Sequence, residues 1–169
     1  MFEIGDYVVY GQNGICQITD LTRLNMSGID RKKKYYVLNP IKDKSGVIYS
    51  PVDNTKVVLR HILTRDEALE LIDGIPDIEE LWIQNERMRE EEYKEAMKAC
   101  DCRQWIRIIK TLYVRREERI AAGKKVTSTD ERYYKQASSN LYAELGMAMD
   151  IDEEHVEKII FERIESKSR

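Results

Sequence analysis

The residues predict an α+β chain in two domains: a small five-stranded β-barrel over residues 1–64, then an all-α domain of about five helices over residues 65–169. Three observations carry this. Short β-rich runs in the first third are separated by turn-forming clusters. Four helix-start signals of one type follow, each ahead of an apolar pattern of helical period. The charge also divides, with ten Lys/Arg against six Asp/Glu in residues 1–65 and 18 against 25 in residues 66–169.

The first expected strand is Tyr7–Tyr10, closed by Gly11-Gln12-Asn13-Gly14 onto Ile15–Thr22. Lys34–Asn39, Val47–Ser50 and Lys56–Leu59 complete the set. Between them lie Asn25-Met26-Ser27-Gly28, Asp43-Lys44-Ser45-Gly46 and Asp53-Asn54. Gly and Asn supply the positive φ that tight turns need, so these clusters act as punctuation. Five short strands in about 60 residues hide their apolar faces by curling, and an SH3- or Tudor-like barrel is the natural closure. Lys32-Lys33-Lys34 reads as a solvated edge that discourages strand pairing, or as the border of a partner surface.

Thr64-x-x-Glu67 is a capping box that starts a short helix through Asp73, ended by Gly74. Pro76 then opens a second helix, expected over Asp77–Lys98. Asp101-x-x-Gln104 caps a third, whose Trp105, Ile108, Ile109 and Leu112 fall on one face and which Gly123 stops. Ser128-x-x-Glu131 caps a fourth, with Tyr134, Ala137, Leu141 and Leu145 inward. Asp150-x-x-Glu153 precedes a fifth, with Val156, Ile159, Ile160 and Ile164 as its buried stripe.

Catalytic motifs are absent. No phosphate-cradling glycine loop, dinucleotide fingerprint or nucleophile elbow occurs, and acidic runs such as Glu90-Glu91-Glu92 read as a solvated helix face. Three cysteines (Cys16, Cys100, Cys102) without a Cys-x-x-Cys, and two distant histidines (His61, His155), argue against a disulfide framework or a zinc site. Reduced thiols, no cofactor and no metal are the expectation. Met-Phe-Glu-Ile-Gly-Asp lacks the basic and apolar regions of a signal peptide, and no run approaches a membrane span. A soluble cytoplasmic protein is expected.

Two features stand out. Trp82 falls early in the expected second helix, and two readings are open. It can share a core stripe with Ile78 and Leu81. It can equally be an exposed apolar wedge, with Arg87 and Arg89 nearby to hold phosphates beside it, as in minor-groove proteins. The other feature is a basic segment inside the acidic half. Arg115, Arg116 and Arg119, then Lys124 and Lys125 beyond the Gly123 stop, and Arg132 further on, form a candidate phosphate-contacting patch. Cations near a helix C-terminus also complement its dipole, which covers Arg119 more readily than Lys124-Lys125.

Gly5-Asp6-Tyr7-Val8-Val9-Tyr10, Gly14-Ile15, Tyr36-Val37-Leu38 and Ile48-Tyr49-Ser50-Pro51-Val52-Asp53-Asn54 resemble the N-terminal module of CarD-like transcription regulators. The related barrel of the bacterial transcription-repair coupling factor is similar. Ile108-Ile109-Lys110-Thr111-Leu112-Tyr113, Ser128-Thr129-Asp130-Glu131-Arg132 and Leu141-Tyr142-Ala143-Glu144-Leu145 continue the likeness over nearly the whole chain. The resemblance implies a Tudor-like barrel that docks on the β-subunit lobe of bacterial RNA polymerase, around Arg23-Leu24 and Tyr49-Ser50-Pro51. It also implies a helical domain that touches promoter DNA at the upstream edge of the melted region, with Trp82 in the minor groove and Arg87 and Arg89 beside it.

The expectation is therefore a non-enzymatic, monomeric transcription regulator that stabilises the promoter open complex. Tethering to polymerase makes a weak DNA contact intramolecular, so few charges suffice. Two alternatives are a protein–protein adaptor without DNA contact and a nucleic-acid-binding protein acting alone.

Overall fold

The computed structural model describes residues 2–168, which divide into two compact units at Ile62/Leu63. The first unit is an antiparallel sheet of β1 (Tyr7–Tyr10), β2 (Ile15–Arg23), β3 (Lys34–Pro40), β4 (Ile48–Pro51) and β5 (Leu59–His61). Its order is β4-β3-β2-β1-β5. One apolar cluster of Val8, Cys16, Ile18, Tyr36 and Leu38 is flanked by Ile48 from β4 and Leu59 from β5. Strands at opposite ends of the ladder thus share a core, so the sheet curls around it. The register of β2 against β3 shifts between Ile18 and Asp20, a bulge that bends the longest strand.

The expected turns form, with local corrections. Tyr10 donates its amide to the Gly14 carbonyl at 2.9 Å, and Gly14 sits at φ 71°, ψ −146°, a region only glycine occupies cheaply. β4 runs one residue later than expected and takes in Pro51, tolerable because β4 is an edge. β5 begins at Leu59 and not Lys56. The Asn54 side chain accepts from the Lys56 and Val57 amides (3.0 and 3.1 Å) and donates to the Val57 carbonyl (2.7 Å). That turn consumes the backbone groups a strand would need.

The second unit contains α1 (Arg65–Gly74), α2 (Arg89–Lys98), α3 (Cys102–Ala121), α4 (Ser128–Met149) and α5 (Glu153–Ser168). The Thr64 capping box is complete, with Glu67 amide to Thr64 Oγ1 at 3.1 Å and Thr64 amide to Glu67 Oε1 at 3.0 Å. Asp101 caps α3 by accepting from the Arg103 amide at 2.7 Å. The α3 stripe Trp105, Ile108, Ile109 and Leu112 is buried, as its period requires. Gly123, at φ 73°, terminates the helix while the Lys124 amide reaches back to the Arg119 carbonyl at 2.8 Å.

Four expectations for the helices are corrected. The cap of α4 is Thr127, not Ser128, accepting from the Asp130 amide at 3.1 Å. Asp150 ends α4 in the left-handed conformation, and Asp152 caps α5 by accepting from the His155 amide at 2.8 Å. On α4 it is Tyr133 that is buried, with Tyr134 half-buried. The largest correction concerns the expected helix over 77–98. After α1 the chain makes a 3₁₀ turn (Ile75–Asp77), runs without regular structure over 78–85, makes a second 3₁₀ turn (Glu86–Met88), and only then enters α2. Ile78, Leu81 and Trp82 fit a helical period, but side chains of α3 take the backbone groups of this segment, and tertiary partners override local preference.

Candidate nucleic-acid interface

The irregular segment 78–85 lies against α3. Lys110 Nζ, buried, donates to the carbonyls of Ile75 and Ile78 at 2.6 Å each and approaches that of Pro76 at 3.4 Å. Arg107 Nε donates to the Glu79 carbonyl at 3.2 Å. Thr111 Oγ1 accepts from the Leu81 amide at 2.8 Å and donates to the Arg107 carbonyl at 2.7 Å. Ile78 is buried beneath this lattice. Trp82, one residue past the last anchor, is 76% exposed, more than any other large apolar side chain among the described residues. Of the two readings left open by the sequence, burial in a core stripe is excluded.

Beyond Trp82 the chain is anchored again. The Asn85 side chain accepts from the Arg87 amide at 3.0 Å and starts the second 3₁₀ turn. Glu86 receives both Nε and Nη2 of Arg89 (2.9 and 2.8 Å) and Nη1 of Arg115 at 3.3 Å. Those bonds, with Arg89 the foremost, hold the Glu86 carboxyl down at about 2. Arg89 also donates to the Tyr93 hydroxyl at 2.9 Å, and burial pushes that phenol up to about 12. The Tyr93 hydroxyl donates to Asp130 at 3.1 Å, and Arg115 Nε meets the other Asp130 oxygen at 2.6 Å.

This network redistributes the expected cations. Arg89 has a side chain only 16% exposed, and Arg115 is spent on Asp130 and Glu86, so neither guanidinium is presented freely. Arg132 is paired with Glu90 at 3.0 Å, where Tyr133 also donates, although it remains largely exposed. Arg119 Nε binds the Lys125 carbonyl at 2.7 Å and shapes the loop after α3. Arg87, Arg116, Lys124 and Lys125 are exposed, and none of the described carboxylates forms an ion pair with them. The sequence reading passed over Arg107, Lys110, Thr111 and Glu86. A signal existed for two of them: Lys110-Thr111 interrupts the apolar run Ile108-Ile109…Leu112 on a helix otherwise committed to the core.

In the first unit, Tyr49 is 48% exposed on β4, which ends the sheet order and leaves its outer side unpaired among the described strands. Arg23 is exposed at the end of β2, paired with Lys34, and Leu24 is half-buried just beyond. Pro51 is half-buried opposite Tyr35. Ser50 corrects the expectation: the residue is fully buried, opposite Tyr36 of β3, and offers no surface to a partner.

An antiparallel barrel with an unpaired strand edge is followed by a helical unit that displays an indole, which gives two candidate binding surfaces. Residues 2–63 match the family model described as the CarD-like/TRCF RID domain, and residues 75–161 match that of the CarD C-terminal domain. The chain belongs to the CarD-like family, a family of non-enzymatic transcription factors that interact with RNA polymerase. None of the curated proteins matches it. Among the described residues no helix is long and apolar enough to cross a membrane.

Proposed function

We propose that this protein binds the β-subunit lobe of RNA polymerase through the N-terminal barrel and stabilises the promoter open complex through weak minor-groove contact by the helical unit. It acts in the cytoplasm as a monomer, with residues 1–64 as the polymerase-interacting domain and 65–169 as the DNA-contacting domain. The unpaired edge of β4, with Tyr49 exposed, supports strand addition by a partner, in which main-chain bonds supply affinity. Arg23, Leu24 and Pro51 border that contact.

The observation that carries the reading is Trp82, an indole held in solvent on non-helical backbone. An indole left in water forgoes the free energy of burial, and a DNA surface that covers it on contact recovers that term. Arg87, Arg116, Lys124 and Lys125 supply phosphate contacts, and Arg132 can exchange Glu90 for one. Arg89, Arg115 and Arg119 shape the surface and contribute little direct contact. Few free cations on an acidic protein give weak binding to free duplex, which tethering to polymerase makes sufficient.

The test is Trp82→Ala in the full chain, assayed with polymerase on a promoter. The open complex is expected to decay about tenfold faster, a loss near 1.4 kcal/mol, while retention of polymerase is unchanged. Unchanged decay refutes the DNA contact and leaves the adaptor reading.

A further inference from the structure

We propose that Arg107, Lys110 and Thr111 are positioning residues that preset Trp82 for its partner by gripping the main chain ahead of it. The inference rests on the reading of Trp82 as the DNA-contacting group. It concerns what holds the indole out, which that reading leaves unexplained.

The three residues occupy positions i, i+3 and i+4 of α3 and so share one helix face. Their bonds to the incoming segment go to backbone: the carbonyls of Ile75, Ile78 and Glu79 and the amide of Leu81. An irregular stretch must satisfy its amides and carbonyls somewhere, and here α3 does so in place of a helix or a sheet. Lys110 has three donors on one nitrogen and closes the turn after α1. Thr111 is the relay, accepting from Leu81 and donating to the Arg107 carbonyl, which ties the last anchor to α3 itself. On the far side, Glu86 is fixed by Arg89 and Arg115. Trp82 therefore sits on a short span fixed at both ends. A span ordered beforehand loses less freedom on contact, so binding is tighter for the same surface. The grip ignores side-chain identity in the segment and is independent of the indole.

The experiment uses the full chain with Thr111→Val, which keeps shape and removes the acceptor, and Thr111→Ser, which restores it. Three quantities are read: exchange of the Leu81 amide by NMR, mobility of the Trp82 indole by ¹⁹F NMR of 5-fluorotryptophan, and open-complex half-life with polymerase. Thr111→Val is expected to speed Leu81 exchange and loosen the Trp82 resonance. It should shorten the half-life by about three- to tenfold, the range expected for one lost hydrogen bond. Thr111→Ser should recover all three. Should the valine variant fold poorly, Arg107→Met, at a half-buried site, is expected to move the same readouts less far in the same direction.

A half-life unchanged in Thr111→Val, while Trp82→Ala shortens it, overturns the positioning role and spares the DNA reading. A half-life unchanged in Trp82→Ala refutes the DNA reading. The amide and indole measurements then still decide whether the grip orders the segment. Mobility equal to wild type in both Thr111→Val and Arg107→Met overturns the grip itself.

Discussion

The segment around Trp82 and helix α3 carry the chain's two tryptophans and treat them in opposite ways. Trp105 lies on a regular helix whose backbone is satisfied internally, so its side chain is free to enter the core, and it is buried. Trp82 lies on a stretch whose backbone is satisfied by another element, which fixes the main chain and leaves the side chain outside. Exposure of an apolar residue here follows from where the backbone bonds go, not from the residue type. Charge behaves in parallel: α3 carries arginines in plenty, but one of them, Arg115, is taken up by both Glu86 and Asp130.

The largest expected effect breaks that contrast if it is mistaken. Trp105→Ala should destabilise the protein by about 3–5 kcal/mol, the cost of truncating a buried aromatic. Trp82→Ala should stay within about 0.5 kcal/mol of the parent, as for surface substitutions away from special features. Denaturant melts of both variants check this. A large loss of stability in Trp82→Ala would mean that the indole packs in solution.

An intermediate effect sharpens the comparison at the charged end. Asp130, 4% exposed, joins Tyr93 of α2 to Arg115 of α3 from its place on α4. Asp130→Asn replaces one acceptor by a donor facing a guanidinium or a phenol. The expected cost is about 1–3 kcal/mol, that of a charge-assisted bond in a shielded place. It should also raise affinity for free duplex DNA and steepen its salt dependence, because Arg115 is partly released toward phosphates. Fluorescence-anisotropy titrations at several salt concentrations read this. A parent-like salt slope would show that Arg115 stays on Glu86.

Much of this was legible in the residues. Strand number, turn clusters and the buried stripe of α3 follow from local chemistry, as do the Thr64 and Asp101 caps; on α5 Val156, Ile160 and Ile164 are buried as expected and Ile159 is half-buried. Where the reading slipped, a competing acceptor stood one or two residues away. Thr127, still extended, takes the Asp130 amide and leaves Ser128 inside the helix, and Asp152 outcompeted Asp150 because Asp150 ends the preceding helix. The extended course of 78–85 was not legible, because its period suits a helix and its true partners lie about 30 residues downstream on α3. For the same reason Arg89 looked available. Its carboxylate lies three residues before it, but the non-helical turn that joins them belongs to the tertiary structure.

The smallest expected effect concerns Glu86, whose carboxyl is 67% exposed and yet is held at about 2 against an ordinary value of 4.5. Its folded-state pKa is depressed, so the ion pairs with Arg89 and Arg115 contribute in full above about 4.5. They are lost as pH falls from there toward about 2. Solvent screens most of that contribution, which leaves at most about 1 kcal/mol. Glu86→Gln should therefore melt slightly below the parent at pH 7, and the gap should narrow between pH 4.5 and 2. A gap that persists at pH 2 would show that Glu86 acts through the geometry of the 3₁₀ turn and not through its charge. The far anchor of the Trp82 segment would then be steric, and acid would leave the indole as well ordered as at neutrality.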